Sequence, residues 1–430
     1  MPGCTLRPVV LPVLFFALLA CSEPVVEPDS ADIEPAIAHD TGPEEDSAAP
    51  PIVTEEDAGS YEADNDWIFE KDRIHEIEIT LSEASWAAIL AAPYTPARAD
   101  VTIDGIETPE VGVRLRGKIG SFRDLTGKPK FEIDFNQFNE DQRFFGLESL
   151  SLNNEVVDCG YLREPLGYRL FELAGVPALR TSFAKVTVNG AEYGLYVVLE
   201  TEDDVFLKRT YEHPDGNLYD GKYVWYGGYN YTLLDFTPGL ETYYDLEEGT
   251  DVDNADIFAI TAAVTAARAS GDFHAGMDSV LDWPEYHREL LMEQWTGHLD
   301  GYALNTNNNR PYFDPADGKM EILPWDLDYA FQEDYVWGMS WYTPRGVLAA
   351  SCFADAACVA AHQSVAAEVA AGIDVAALEA ELSAWESLIY EAAVTDPRRE
   401  CDVASVDAYQ ASLHAWIAAR PAYMQSFWGY

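Results

Sequence analysis

The chain has 430 residues and carries 26 Lys and Arg against 75 Asp and Glu, a formal charge of −49. A surface this anionic is repelled by phosphate backbones, which excludes general nucleic-acid binding. With 48% hydrophobic and 13% aromatic residues, there is ample apolar material for a large core, and the length suits one large or two coupled domains.

Residues 1–20 read as a signal peptide of lipoprotein type. Arg7 precedes an apolar run from Val9 to Ala20 that is too short to span a bilayer comfortably. Leu18-Leu19-Ala20-Cys21 resembles a bacterial lipobox, making Cys21 the expected lipidated residue; an ordinary secretory peptide is the alternative. The expectation is an exported, membrane-anchored lipoprotein, periplasmic or at the cell surface, with the lipid as its membrane contact. Residues 21–66 read as an acidic disordered tether, because Ser22 to Asp66 holds fifteen acidic residues and no Lys or Arg.

Residues 67–430 read as the folded part. Ile77, Ile79 and Leu81 alternate with polar residues as a half-buried strand does, and Ser82 follows as a helix cap. Further strands are expected at Val101–Ile103, closed by Asp104-Gly105, then at Val111–Leu115, Phe131–Phe135 and Leu147–Leu152. Asn189-Gly190 between Lys185–Val188 and Glu192–Val198 signals a hairpin. One clear helix, Tyr161 to Ala174, ends at Gly175 and Pro177. From about residue 250 the pattern turns helical: Asp253–Ala269, Trp283 to about Gly297, and Ala-rich stretches at Ala360–Ala393 and Ala404–Ala419. Strand runs followed by helical runs give an α+β class with two lobes. The first, about 67–205, is expected to be an antiparallel sheet and the second, about 206–430, mainly helical, with a cleft between them.

Outside Cys4 and Cys21, the cysteines are Cys159, Cys352, Cys358 and Cys401. In an exported chain four cysteines suggest two disulfides with three connectivities open, and no C-x-x-C pair argues for a zinc knuckle.

Charge is unevenly spread. Between Val111 and Lys185 eleven basic residues face ten acidic ones, a cationic island that either serves an anionic ligand or balances local carboxylates. Arg116-Gly117-Lys-Ile-Gly-Ser121 and Thr126-Gly127-Lys128 supply glycines that let backbone amides approach phosphates, although no Walker A loop is present.

The sharper constellation is His298-Leu-Asp300-Gly-Tyr-Ala-Leu-Asn305 followed by Leu323-Pro-Trp-Asp326-Leu-Asp328. An Asp five residues before an Asn, with a later metal-binding Asp, is the spacing of the protein-kinase catalytic loop. Phosphoryl transfer needs such parts: a carboxylate for the hydroxyl proton, an amide oxygen, and a further carboxylate for the metal.

These residues also carry a family resemblance. Arg116-Gly117, Lys128-Pro-Lys130-Phe-Glu-Ile-Asp-Phe135, Phe145-Gly-Leu147, Leu152-Asn-Asn154, Leu162-Arg-Glu164, Val188-Asn-Gly190, Gly194-Leu-Tyr196, Gly216-Asn-Leu-Tyr219 and Pro324-Trp-Asp-Leu-Asp328 together resemble the spore-coat CotH kinase family over about residues 70–335. The resemblance implies a two-lobed protein-kinase-like fold and transfer of the ATP γ-phosphate, with Mg²⁺ or Mn²⁺, to Ser or Thr of a secreted or surface protein. It makes Asp300 the catalytic base and Asn305 and Asp326 metal ligands, with Asp328 either a second ligand or a cap. Against the K-K-S-[FY]-[KR] run common in that family, the last basic position is Glu132. The nucleotide-contacting lysine is then Lys130, or failing that Lys128, with Arg116, Gly117 and Ser121 beside the phosphates and Glu164 orienting the lysine. A non-catalytic surface-binding or coat-assembly module on the same fold is the alternative.

Other chemistries find less support. The eight His residues show no H-E-x-x-H, and G-x-S-x-G is absent. Tyr223, Trp225, Tyr226, Tyr229 and Tyr231 could stack on a sugar or peptide or pack a core.

Overall fold

Strict alternation builds the first strand, β1 (Ile74–Leu81), in which Ile77, Ile79 and Leu81 are buried while Glu76, Glu78 and Thr80 are exposed. The computed structural model describes residues 65–118, 120–222, 224–226, 229–231, 234–333 and 338–430, without the side chains between 223 and 233. Cys21, the signal segment, the tether up to residue 64 and the side chains of the aromatic run from Tyr223 to Tyr231 lie outside this description. All described residues belong to one compact unit.

Ser82 caps α1 (Glu83–Ala91) by accepting from Ser85 N. β2 (Ala97–Ile103), β3 (Ile106–Arg116), β4 (Lys130–Asp134) and β5 (Ser149–Asn153) follow, then α2 (Arg163–Leu173), β6 (Thr181–Val188) and β7 (Ala191–Leu199). The two tight turns legible in the sequence are hairpins. Asp104-Gly105 and Asn189-Gly190 both take positive φ, as a two-residue turn matched to strand twist requires.

The seven strands close into a barrel in the order β1-β2-β3-β4-β5-β7-β6, which corrects the expectation of an antiparallel sheet. All pairings are antiparallel except the closing one, where Ile74–Ile79 runs parallel to Phe183–Val188. That seam joins segments more than a hundred residues apart, so no local pattern announces it. Val101, Val113, Leu115, Phe131, Ile133, Leu150, Leu152, Val186 and Val198 fill the core inside.

After β7 come α3 (Asp204–Thr210), β8 (Asn217–Gly221), the hairpin of β9 (Val224–Tyr226) and β10 (Tyr229–Tyr231), and β11 (Tyr244–Glu248). Helices then dominate: α4 (Ala255–Ser270), α5 (Phe273–Met277), α6 (Trp283–Thr296) and α7 (Tyr302–Asn305) precede β12 (Asn309–Asp314) and β13 (Lys319–Pro324). The chain ends with α8 (Val347–Ala354), α9 (Ala356–Gly372), α10 (Val375–Thr395) and α11 (Val403–Trp428). The Ala-rich stretch from 360 to 393 is two helices, broken where Asp374 turns to cap α10 through Ala376 N and Ala377 N.

This second half is less purely helical than expected, because β11-β8-β12-β13 form a four-stranded antiparallel sheet. Among the described residues no helix is long and apolar enough to cross a membrane. Two disulfides staple the unit: Cys159–Cys401 joins the segment before α2 to the one before α11, and Cys352–Cys358 links α8 to α9.

Candidate active site

Strand alternation raises one wall of the site. Leu115, Phe131, Ile133, Leu150 and Leu152 point into the barrel, so Arg116, Lys130, Ser151 and Asn153 point out of it. Arg116 lies opposite Lys130 in the β3–β4 register. Its guanidinium donates to Ser151 Oγ, sits 3.3 Å from Glu132, and stacks over Trp325 at 5.0 Å.

The opposite wall comes from the loops on either side of the β12–β13 hairpin. Pairing of Asn309 with Pro324 and donation from Trp325 N to Asn308 O at 3.3 Å bring residues 300–308 beside 325–328. Asp300 Oδ1 accepts from Asn305 Nδ2 at 2.5 Å, and its Oδ2 accepts from Asn308 Nδ2 at 3.1 Å. Glu293, buried in α6, accepts from Tyr302 N at 2.5 Å and from Ala303 N at 2.8 Å. That carboxylate fixes the start of α7 and hence the Asp300–Asn305 loop.

The walls meet at Lys130. Its Nζ lies 3.0 Å from Asp328 Oδ2 and 3.3 Å from Asp326 Oδ1. Asp326 has φ 49°, a left-handed conformation that Asp tolerates better than most residues with a Cβ. Arg163 from α2 donates to Asp328 O at 3.2 Å.

The charges are unequal. Burial works against the Lys130 ammonium, yet Asp326, Asp328, Glu164 and Glu155 together hold it well above its ordinary value. Asp326 stays ionised: burial opposes this, but Lys130 and Arg116 outweigh it. Burial, then the charge of Asp326, pushes Asp328 up. Asp300 is raised to about 6, chiefly by burial, with the amides of Asn305, Asn307 and Asn308 pulling the other way. It is therefore mostly ionised at neutral pH.

Two more carboxyls share the pocket: Glu164, expected beside the lysine, and Glu155, which no motif marks. Glu155, buried at φ 53°, has both oxygens without a hydrogen-bond partner, as has Glu164 Oε1. Burial and their mutual repulsion raise Glu155, and burial raises Glu164. A cluster of carboxylate and amide oxygens with orphaned acceptors and no sulfur suits a hard divalent cation such as Mg²⁺ or Mn²⁺.

The structure brings together Lys130, Asp300, Asn305, Asp326, Asp328, Arg116 and Glu164, but Glu164 does not ion-pair with the lysine. Its Oε2 accepts from Asn153 Nδ2, because Asp326 and Asp328 already occupy the Lys130 ammonium. Lys128 lies elsewhere. It precedes β4 rather than belonging to it, and its fully buried Nζ bonds Asp396 Oδ2 at 2.6 Å and Tyr161 Oη at 3.2 Å, so it is committed away from the carboxylates that hold Lys130.

Gly117 and Ser121 belong to a loop clamped from behind by Asn154, whose Nδ2 donates to Ser121 O at 3.0 Å and Lys128 O at 2.6 Å. Gly117 has φ 88°, and a Cβ there would lie 2.9 Å from Ser121 Oγ, so glycine is required. A Cβ at Gly120 would lie 3.0 Å from Tyr329 Oη, which places the loop against the segment following Asp326. Most other members of the cationic island balance carboxylates, as in Arg143–Glu148, Arg169–Glu381 and Arg180–Glu200. Asn308 and Glu293 were missed: a lone amide in Asn-Thr-Asn-Asn-Asn and one more Glu on a helix carry no distinguishing signal.

Residues 113–424 match the family described as CotH kinase protein. The match covers more than half of the chain, and the protein belongs to that family. Inner spore coat protein H of Bacillus subtilis (strain 168) is 25% identical over 230 residues, which cover 52% of this chain and 60% of the relative. The chain thus spans about three fifths of that relative's length. The solved complex of HipA, HipB and operator DNA from the Shewanella oneidensis MR-1 toxin–antitoxin system is similar over 81% of this chain and 82% of that one, at 12% identity. Its TM-score of 0.30 is too low to carry an argument.

Proposed function

We propose that the protein is an ATP-dependent protein kinase that phosphorylates Ser or Thr of a secreted or surface protein. The observation that carries this reading is the convergence of Lys130, Asp300, Asn305 and Asp326, drawn from three separate places in the chain, on one acidic pocket. In this reading the barrel with α2 acts as the nucleotide-binding lobe and the residues from about 206 as the other. Export and a Cys21 lipid anchor belong to the same proposal and place the substrate outside the cytoplasm.

Asp300 is the group positioned to take the proton of the attacking hydroxyl. Its carboxylate is mostly ionised at neutral pH, and Asn305 and Asn308 fix both of its oxygens. Because Asn305 donates through Nδ2, its amide oxygen is left to serve as a ligand. Asn305 and Asp326, with Asp328 as a second carboxylate, would hold Mg²⁺ or Mn²⁺. When bound, that cation neutralises phosphate charge and fixes the transferring group. Lys130 supplies the positive charge of this chain for the phosphates, and Arg116 supports it across the β3–β4 ladder.

The test is calorimetric titration of the purified protein with ATP, with and without Mg²⁺ or Mn²⁺, alongside Asp326→Ala. Metal-dependent binding lost in the variant supports the kinase. Absence of binding under every metal condition overturns it and leaves a non-catalytic surface-binding module.

A further inference from the structure

Away from the acidic pocket, three histidines cluster in the helical half, His287 and His362 buried and His274 half-buried. His274 of α5 stacks on Trp283 at 4.6 Å and on His287 of α6 at 6.0 Å between ring centres. His362 of α9 reaches the other side, its Nδ1 3.3 Å from His287 Nδ1 and its ring 4.3 Å from that of Trp428. His287 is 2% and His362 0% exposed, and the Nε2 atoms of all three histidines are buried with no hydrogen-bond partner. Leaving three ring nitrogens dry and bare is unfavourable unless something else uses them. Cys358, also fully buried, stands four residues before His362 on the same face of α9. Ligand atoms of His274, His287 and Cys358 lie within 4.8 Å of one another.

We propose that these residues form a metal site gated by the Cys352–Cys358 disulfide: with the bridge open, Cys358, His274 and His287 bind one Zn²⁺-like cation, and His362 is the adjacent fourth donor.

While the bridge stands, Cys358 sulfur carries no negative charge and is a poor ligand. Opening it takes two electrons and two protons. A dithiol donor supplies both and becomes a disulfide, while the S–S bond yields two thiols. The Cys358 thiol then releases its proton to solvent as the metal binds. Around a tetrahedral centre with Zn–N of about 2.0 Å and Zn–S of about 2.3 Å, neighbouring donors stand roughly 3.3–3.6 Å apart. The Nδ1 atoms of His287 and His362 stand 3.3 Å apart, and the donors of His274, His287 and Cys358, within 4.8 Å of one another, need to close by a little over ~1 Å at most. Mixed sulfur and imidazole donors select Zn²⁺ over the hard cation suited to the acidic pocket.

Cobalt(II) is the probe, because a thiolate ligand gives it a charge-transfer band. The protein with both disulfides formed is titrated beside Cys352→Ser, which leaves Cys358 a free thiol with Cys159–Cys401 intact, and beside Cys352→Ser with His287→Gln. The disulfide form is expected to show no such band and Cys352→Ser one equivalent of Co²⁺ with the band, displaced by Zn²⁺. Adding His287→Gln should weaken binding at least tenfold. Should Cys352→Ser fold poorly, which far-UV circular dichroism reports, the Cys159→Ser and Cys401→Ser double variant, reduced with a dithiol and desalted, supplies the Cys358 thiol with Cys352 as its only other freed partner. No Co²⁺ uptake by either thiol form, uptake without the thiolate band, or uptake indifferent to His287→Gln overturns the proposal.

Discussion

Lys128 and Lys130 are two residues apart and chemically identical, yet their surroundings assign them opposite consequences. Lys128 and Asp396 are 1% and 0% exposed. Asp396 Oδ2 accepts from Lys128 Nζ at 2.6 Å, Tyr161 Oη at 3.0 Å and Leu195 N at 2.9 Å, and its Oδ1 accepts from Arg398 N at 2.8 Å. Lys128→Met strips the cation and leaves that carboxylate buried, a change worth about 3–5 kcal/mol. At roughly 2 °C per kcal/mol for a domain of this size, the melting temperature should drop by about 6–10 °C. Adding Asp396→Asn should recover part of the loss, because the charge left stranded is then gone as well. Nucleotide affinity of Lys128→Met, measured by calorimetry well below its melting temperature, should stay within about twofold of wild type, whereas Lys130→Met should lose at least tenfold. A Lys128→Met protein that melts like wild type but no longer binds ATP would refute the assignment and move the nucleotide site to the other lysine.

Three further outcomes follow from separate parts of the molecule. Burial and nearby acids such as Asp282 raise the Glu321 carboxyl to about 7, although Tyr211 donates to it at 2.7 Å. Its stabilising contribution is fully present below the ordinary carboxylate range and is lost as pH rises to about 7. Glu321→Gln should therefore remove about 2–3 kcal/mol of that loss, seen as urea midpoints that converge on or exceed wild type at pH 8 but not at pH 5. Cys401→Ser opens a bridge spanning 242 residues and should lower stability by about 5 kcal/mol on the chain-entropy account; an unchanged thermal melt would contradict this. Gly117→Ala forces a Cβ to 2.9 Å from Ser121 Oγ at φ 88°, so a loss of about 1–2 kcal/mol and weaker ATP binding are expected, measured by melting and calorimetry.

What could be read from the sequence was local. The Asp104-Gly105 and Asn189-Gly190 turns, the alternation of β1 and the Asp374-independent helices α4 and α6 each rest on neighbouring residues. The contact between Asp300 and Asn305 was legible for the same reason, since the two residues stand five positions apart on one loop. The parallel β1–β6 seam and the Lys128–Asp396 pair were not, because each joins residues more than a hundred positions apart. Lys128 shares a motif with Lys130 but lies just before β4, where the chain has not yet adopted period two, so two-residue spacing does not put their side chains on one face. Glu155 passed unnoticed because one carboxyl among 75 acidic residues has no signature until burial isolates it.

The acidic pocket also explains why the proposed activity should be strictly dependent on a divalent cation. Lys130 and Arg116 stand against Asp300, Asp326, Asp328, Glu155 and Glu164, and Lys130 is already held by two carboxylates. Proton uptake relieves part of the excess: Asp328, Glu155 and Glu164 are all raised by burial, and Asp326 remains ionised. A polyphosphate entering this site without a cation adds several negative charges to a pocket whose lysine is engaged, and like charges a few ångströms apart in a dry site repel strongly. Asp326 and Asp328 would hold a divalent cation whose charge offsets that of the phosphates, and their engagement with it would leave the Lys130 ammonium available to phosphate. Metal-free ATP should therefore fail to bind even to a fully intact site, and the lysine–carboxylate clamp is the reason.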